Sequence, residues 1–102
     1  MSPVRISSTQ NEEEILPLIQ TAIENEIRRL EISLKLARQR LAKFERKYGV
    51  ASDYFIKHMA AEDLTGGDDE FVQWAGEYEL AKRLERKIHY LKNLTYNDSD
   101  LL

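Results

Sequence analysis

The chain has 102 residues, no cysteine and a formal net charge of −3. That length holds one domain. The lack of thiols excludes disulfides, thiolate metal centres and a cysteine nucleophile, and the acidic balance argues against a generally basic nucleic-acid binder. Charged residues make up 32% of the chain, with only four Gly and two Pro, a composition suited to long solvated helices.

The opening Met1-Ser2-Pro3-Val4-Arg5 leads into no apolar h-region, and no stretch approaches the roughly 18 consecutive apolar residues of a membrane span. The expectation is a soluble, cytoplasmic protein with no membrane partner. Residues 1–12 are polar and unpatterned and read as a flexible arm. Thr9-x-x-Glu12 and Asn11-x-x-Glu14 resemble helix caps, with acids where a helix dipole favours them.

A helix is predicted from about 13 to 48. Ile23, Ile27, Leu30, Leu34, Ala37, Leu41, Phe44 and Tyr48 recur in alternating steps of four and three. That heptad rhythm puts one apolar stripe on the helix and requires another helix to cover it. Pro17 belongs in a first helical turn or kinks a helix begun earlier. Gly49 follows Tyr48 and is suited to the left-handed conformation that ends a helix. Ser52 or Asp53 is the expected cap of a short second helix, on which Phe55 lies over Met59 and Ile56 over Ala60. Thr65-Gly66-Gly67 breaks that helix, and Asp68 is the expected cap of the next.

The last helix is predicted from about 69 to 94, on the stripe Phe71, Trp74, Tyr78, Ala81, Leu84, Ile88 and Leu91. Beyond Leu94 the pattern is lost and residues 95–102 read as a flexible tail. The fold class is therefore all-α: an antiparallel, coiled-coil-like hairpin of two long helices over residues 13–94. The short helix caps the closed end, where Phe55, Ile56 and Met59 face Phe44, Tyr48, Phe71 and Trp74.

Several apolar residues lie off these stripes. Ile32 and Leu36 sit about 200° from the main seam, two positions past Leu30 and Leu34. On the last helix Val72, Leu80 and Tyr90 widen or leave the stripe. A hairpin cannot bury both faces of its first helix, so a second copy, with a dimer favoured, or another protein is expected to cover the remainder.

Charge is arranged in blocks. Residues 27–48 carry eight Lys and Arg against Glu31 and Glu45, and residues 81–94 carry five against Glu85. Residues 49–80 carry only Lys57 against eight acids. Antiparallel pairing sets the two basic blocks side by side as a band that includes Arg29, Arg38, Arg83 and Arg86. Such a band suits an acidic protein surface or, as the alternative, a nucleic-acid backbone. Much of it is also accounted for by helix-dipole complementarity and by local pairs such as Glu24–Arg28, Glu31–Lys35 and Glu79–Arg83.

No catalytic set is legible. His58 and Glu62 share a helical turn but make no metal site by themselves, and a local contact with Glu85 accounts for His89. Asp63, Asp68, Asp69 and Glu70 lack the alternating order of a calcium loop. No phosphate-loop pattern occurs and no hydroxyl stands beside a histidine. The chain is read as non-enzymatic and without a cofactor.

The stretch Thr21-Ala22-Ile23-Glu24-Asn25-Glu26-Ile27-Arg28-Arg29-Leu30-Glu31, the segment Leu41-Ala42-Lys43-Phe44-Glu45-Arg46-Lys47-Tyr48-Gly49 and the later Glu70-Phe71-Val72-Gln73-Trp74-Ala75-Gly76-Glu77-Tyr78 carry a resemblance. Across about residues 15–94 the chain resembles small prokaryotic all-helical hairpin proteins, uncharacterised or of candidate antitoxin type, some encoded beside a small toxin gene. The resemblance implies a non-enzymatic protein that binds and masks a partner, and it brings no catalytic residues. The DNA-binding domain that many antitoxins carry has no counterpart in this sequence. On the residues themselves, Ile32, Leu36, Leu80 and Tyr90 are the candidate contact residues, with Arg29, Arg38, Arg83 and Arg86 orienting the partner.

Overall fold

A computed structural model describes residues 12–60 and 69–101 of the chain. Over these it has three helices and no strand: α1 (Glu12–Tyr48), α2 (Ser52–His58) and α3 (Asp69–Leu101). The expected break at Thr65-Gly66-Gly67, the Asp68 cap, Glu62, Asp63 and the arm before residue 12 lie outside the described residues.

The two long helices form the expected hairpin. Cross-helix ion pairs record its register: Glu31 meets Lys92, Arg38 meets Glu85, Arg40 meets Glu77 and Lys47 meets Glu70. Rising numbers on α1 meet falling numbers on α3, so the helices run antiparallel. The seam is built from the two predicted stripes. Leu30, Leu34, Ala37 and Leu41 of α1 are buried, as are Phe71, Trp74, Ala81, Leu84 and Ile88 of α3, with Ile27, Phe44, Tyr48, Tyr78 and Leu91 packed at their edges. The molecule measures 60 × 27 × 21 Å with a radius of gyration of 19.3 Å, against about 13 Å for a compact domain of this length.

Helix ends depart from expectation in two places. α3 continues to Leu101, past the expected stop near 94. α2 ends at His58, with the Met59 N–H donated to the Phe55 carbonyl, so Met59 closes the helix and does not extend it. Pro17 lies inside α1, one turn after its start; its ring removes the N–H that would reach the carbonyl four residues back. Gly49 adopts φ +70° and donates its N–H to the Glu45 carbonyl at 2.8 Å, the left-handed termination expected there.

The closed end holds the aromatic cluster of the hairpin. Trp74 and Phe55 are fully buried, with ring centroids 3.8 Å apart and planes 2° from parallel. Phe44 stacks on Trp74 at 5.5 Å, while Phe71 meets Phe55 edge-on at 4.9 Å and Tyr48 edge-on at 5.3 Å. These contacts combine edge-to-face pairs, which ring quadrupoles favour, with a close near-parallel stack of Phe55 on Trp74 that rests on burial and dispersion. They fix a seven-residue helix that its own hydrogen bonds would not hold in water.

The capping of α2 corrects the sequence reading. Its N-cap is Ala51, in an extended conformation with no side-chain cap, and neither Ser52 nor Asp53 takes that role. Glu45, seven residues upstream on α1, supplies the acceptor: its Oε2 receives the Ser52 N–H at 2.9 Å and the Ser52 hydroxyl at 2.7 Å. A carboxylate at a helix N-terminus satisfies an orphan donor and complements the dipole. Ser52, freed from capping, is buried and accepts the indole N–H of Trp74.

Candidate interaction surface

The predicted contact residues fall into two sets. On α1, Ile32 is 64% exposed and Leu36 47%, on the face turned from α3. On α3, Tyr90 is 65% exposed. Leu80, expected at the edge of the stripe, is half-buried, packs against the core and lines the furrow beside Phe44. Leu18, Val72 and Leu94 are also strongly exposed. Leu18 escaped the sequence reading because it sits in the apolar run Ile15-Leu16-Pro17-Leu18-Ile19, ahead of the stripe that begins at Ile23, and Leu94 because it stands alone between Asn93 and Thr95.

The basic band is more neutralised than its sequence suggests. Arg38 reaches Glu85 at 3.2 Å and Lys92 reaches Glu31 at 3.2 Å, both across the seam. Arg29 pairs with Glu26 at 2.6 Å, and that hydrogen bond holds the Glu26 carboxyl below its ordinary range. The expected local pairs give way to these. Arg28 bonds Asn25, Glu31 takes Lys92, and no ion pair joins Glu79 to Arg83 among the described residues. His89 bonds Asn93 at 3.0 Å in place of Glu85, which is occupied by Arg38 and Lys82. Arg83 and Arg86 of α3 are exposed.

At the closed end two carboxylates tie the elements together. Glu70 at the start of α3 accepts from Lys47 and from the Tyr48 hydroxyl, which together hold its carboxyl below the ordinary range, Lys47 contributing most. Asp53 of α2 accepts the Tyr78 hydroxyl at 2.6 Å. That bond lowers the Asp53 carboxyl, with Lys82 and Lys57 adding to the effect, and raises the Tyr78 hydroxyl.

Open furrows flank the seam. One, of about 720 Å³, runs past Glu31, Leu34, Arg38, Glu85, Ile88 and Lys92. The other, of about 540 Å³, runs past Phe44, Lys47, Glu70, Gly76, Glu77 and Leu80. In the second, Glu77 turns Oε1 toward Arg40 at 3.5 Å, while its Oε2 is buried without a hydrogen-bond partner. Neither furrow brings a nucleophile, a base and an oxyanion donor together. Among the described residues no three His, Asp or Glu side chains converge as metal ligands, and no helix is long and apolar enough to cross a membrane.

No protein-family model, curated protein or solved structure matches this chain.

Proposed function

We propose that this chain is a non-enzymatic protein–protein interaction module that self-associates into a helical bundle and binds another protein through its outward helical faces. The observation that carries the reading is the exposure of Ile32 and Tyr90, 64% and 65%, on helices whose opposite faces are fully committed to the seam. Tyrosine and arginine, as at Tyr90 and Arg86, are among the residue types that dominate binding energy at interfaces. Arg86, one turn before Tyr90 on α3, and Arg83, two turns before it, give the surface a preference for an acidic partner. Masking of a toxin is the most concrete version, in keeping with the antitoxin-like resemblance, and the cytoplasm is its setting.

The test is capture from the native host with the tagged chain, followed by mass spectrometry, in parallel with Tyr90→Glu/Arg86→Glu. A partner held by the wild type and lost with the variant is the expected result, with the product of a neighbouring small reading frame the first candidate. Capture of nothing, or equal capture by both, would remove the reading. A nucleic-acid module draws on the same basic side chains, and the carboxylates already on Arg29 and Arg38 count against it. A mobility shift with DNA or RNA that weakens steeply with salt would favour it over protein binding.

A further inference from the structure

We propose that the outer face of α1 pairs with the same face of a second copy of this chain, antiparallel and centred on residue 27. This rests on the interaction-module reading and assigns one of its faces. Opposite the seam, α1 carries a second heptad stripe: Ile15, Leu18, Ala22, Asn25, Arg29, Ile32 and Leu36, spaced 3, 4, 3, 4, 3 and 4. Leu18 is 67% exposed, Ile32 64% and Leu36 47%. The stripe is close to a palindrome in chemistry, with apolar residues at both ends and Asn25 and Arg29 in the middle.

A rotation about residue 27 sets Leu18 against Leu36 of the second copy, Ala22 against Ile32 and Asn25 against Arg29. Every exposed apolar residue of the stripe then meets another. The central arginine brings no uncompensated charge, because Glu26 on its own helix already pairs with it at 2.6 Å.

Charge selects this arrangement over others. Residues 13–26 hold four carboxylates and no base, whereas residues 28–41 hold five Lys and Arg against one Glu. The antiparallel pair therefore lays a segment of net charge −4 on one of +4, twice, by symmetry. A parallel pair in register also matches the apolar residues but sets acidic against acidic and basic against basic. An antiparallel pair centred near residue 34 joins Ile32 to Leu36 but places Arg28 opposite Arg40 and Lys35 beside Lys35 of the second copy. Surface is available for the contact: the chain exposes 7840 Å², where a compact monomer of this mass exposes about 5,900 Å². A stable interface takes about 800 Å² from each partner.

The absence of native cysteine makes the register directly readable. Leu18→Cys and Leu36→Cys, prepared separately, are mixed and oxidised. The mixture is expected to form a disulfide-linked dimer, while neither variant alone does so, because the two positions are about 27 Å apart along a helix. Light scattering of the wild type is expected to give twice the 11.9 kDa chain mass, and Leu18→Glu/Leu36→Glu the single mass with unchanged helical circular dichroism. Cross-linking of Leu36→Cys with itself, or a monomeric wild type across micromolar concentrations, overturns the proposal. A monomer that still captures a partner dependent on Tyr90 and Arg86 would sink the pairing and leave the module reading standing. A dimer of the predicted register that captures nothing would do the reverse.

Discussion

Trp74 donates its indole N–H to the hydroxyl of Ser52 at 2.9 Å, inside the aromatic cluster that closes the hairpin. The same hydroxyl donates to Glu45, so one short chain of polar atoms runs from α1 through α2 to α3. Each link answers a need created by the others. Burying Trp74 strands an N–H, the start of α2 strands another, and the Glu45 carboxylate anchors both through Ser52. Ser52→Ala leaves the buried indole without an acceptor and is expected to cost about 1–3 kcal/mol. Glu45→Ala removes the α2 cap as well, at about 1 kcal/mol or more. The fluorescence of the single tryptophan in urea reads both, as a lower midpoint with unchanged slope. An unaltered midpoint in Ser52→Ala would show that the bond contributes nothing.

Acid should loosen the closed end before the seam. Asp53 and Glu70 have carboxyls lowered by the hydroxyls and the ammonium that bond them. A lowered carboxyl contributes stability above its ordinary range near pH 4 and loses it as pH falls through the lowered value. Tyr78 works in the opposite sense: its raised hydroxyl favours the fold below about pH 10, and the contribution fades as pH climbs through the raised value. Stability should be flat from about pH 5 to 8 and decline on both sides. Asp53→Asn and Tyr78→Phe are each expected to remove the alkaline limb and to shrink the acid one, of which Glu70 keeps its share. Denaturation midpoints measured from pH 3 to 11 check this, and identical profiles in wild type and variants would rule out the Asp53–Tyr78 bond as the source.

What was legible in the sequence follows from what repeats. Heptad spacing is a local property, so the stripes from Leu30 to Leu41 and from Phe71 to Ile88 marked the seam, and Gly49 marked the turn. Ile32 and Leu36 were legible as surface for the same reason, since two positions off the stripe is the far side of a helix. Contacts that depend on a second element were not. Glu45 lies seven residues from the helix it caps and has no spacing signature. Ser52 stood in a capping position by local rules, yet the neighbouring tryptophan claimed its hydroxyl. Glu31 had a suitable partner on its own helix and took Lys92 from the facing one, and Glu85 added Arg38 across the seam to Lys82 on its own helix, because antiparallel register brought Lys92 and Arg38 within reach.

Those cross-helix ion pairs are expected to set register more than stability. Arg38–Glu85 and Lys92–Glu31 are both substantially exposed, where such pairs contribute roughly 0–1 kcal/mol and are screened by salt. A double-mutant cycle on Arg38→Met and Glu85→Gln should give a coupling under about 1 kcal/mol that shrinks further in 1 M salt. A salt-insensitive coupling of several kcal/mol would mean that these side chains are drier than their exposure indicates.

Two neighbouring residues on α1 give the sharpest contrast between the faces. Leu34 is 7% exposed in the seam and Ile32 is 64% exposed on the far side. Leu34→Ala opens a cavity between the long helices and should cost about 2–5 kcal/mol. Ile32→Ala removes little packing and replaces a β-branched residue with a stronger helix former, so the isolated chain should change by less than about 0.5 kcal/mol. If a second copy covers Ile32, the wild type gains stability with protein concentration through linkage, and Ile32→Ala weakens that dependence while leaving the dilute value alone. Thermal melts across a hundredfold range of concentration separate the cases: a midpoint that rises in the wild type and stays level in the variant places Ile32 in the self-contact. Equal curves for both proteins would leave its exposure without a role in pairing.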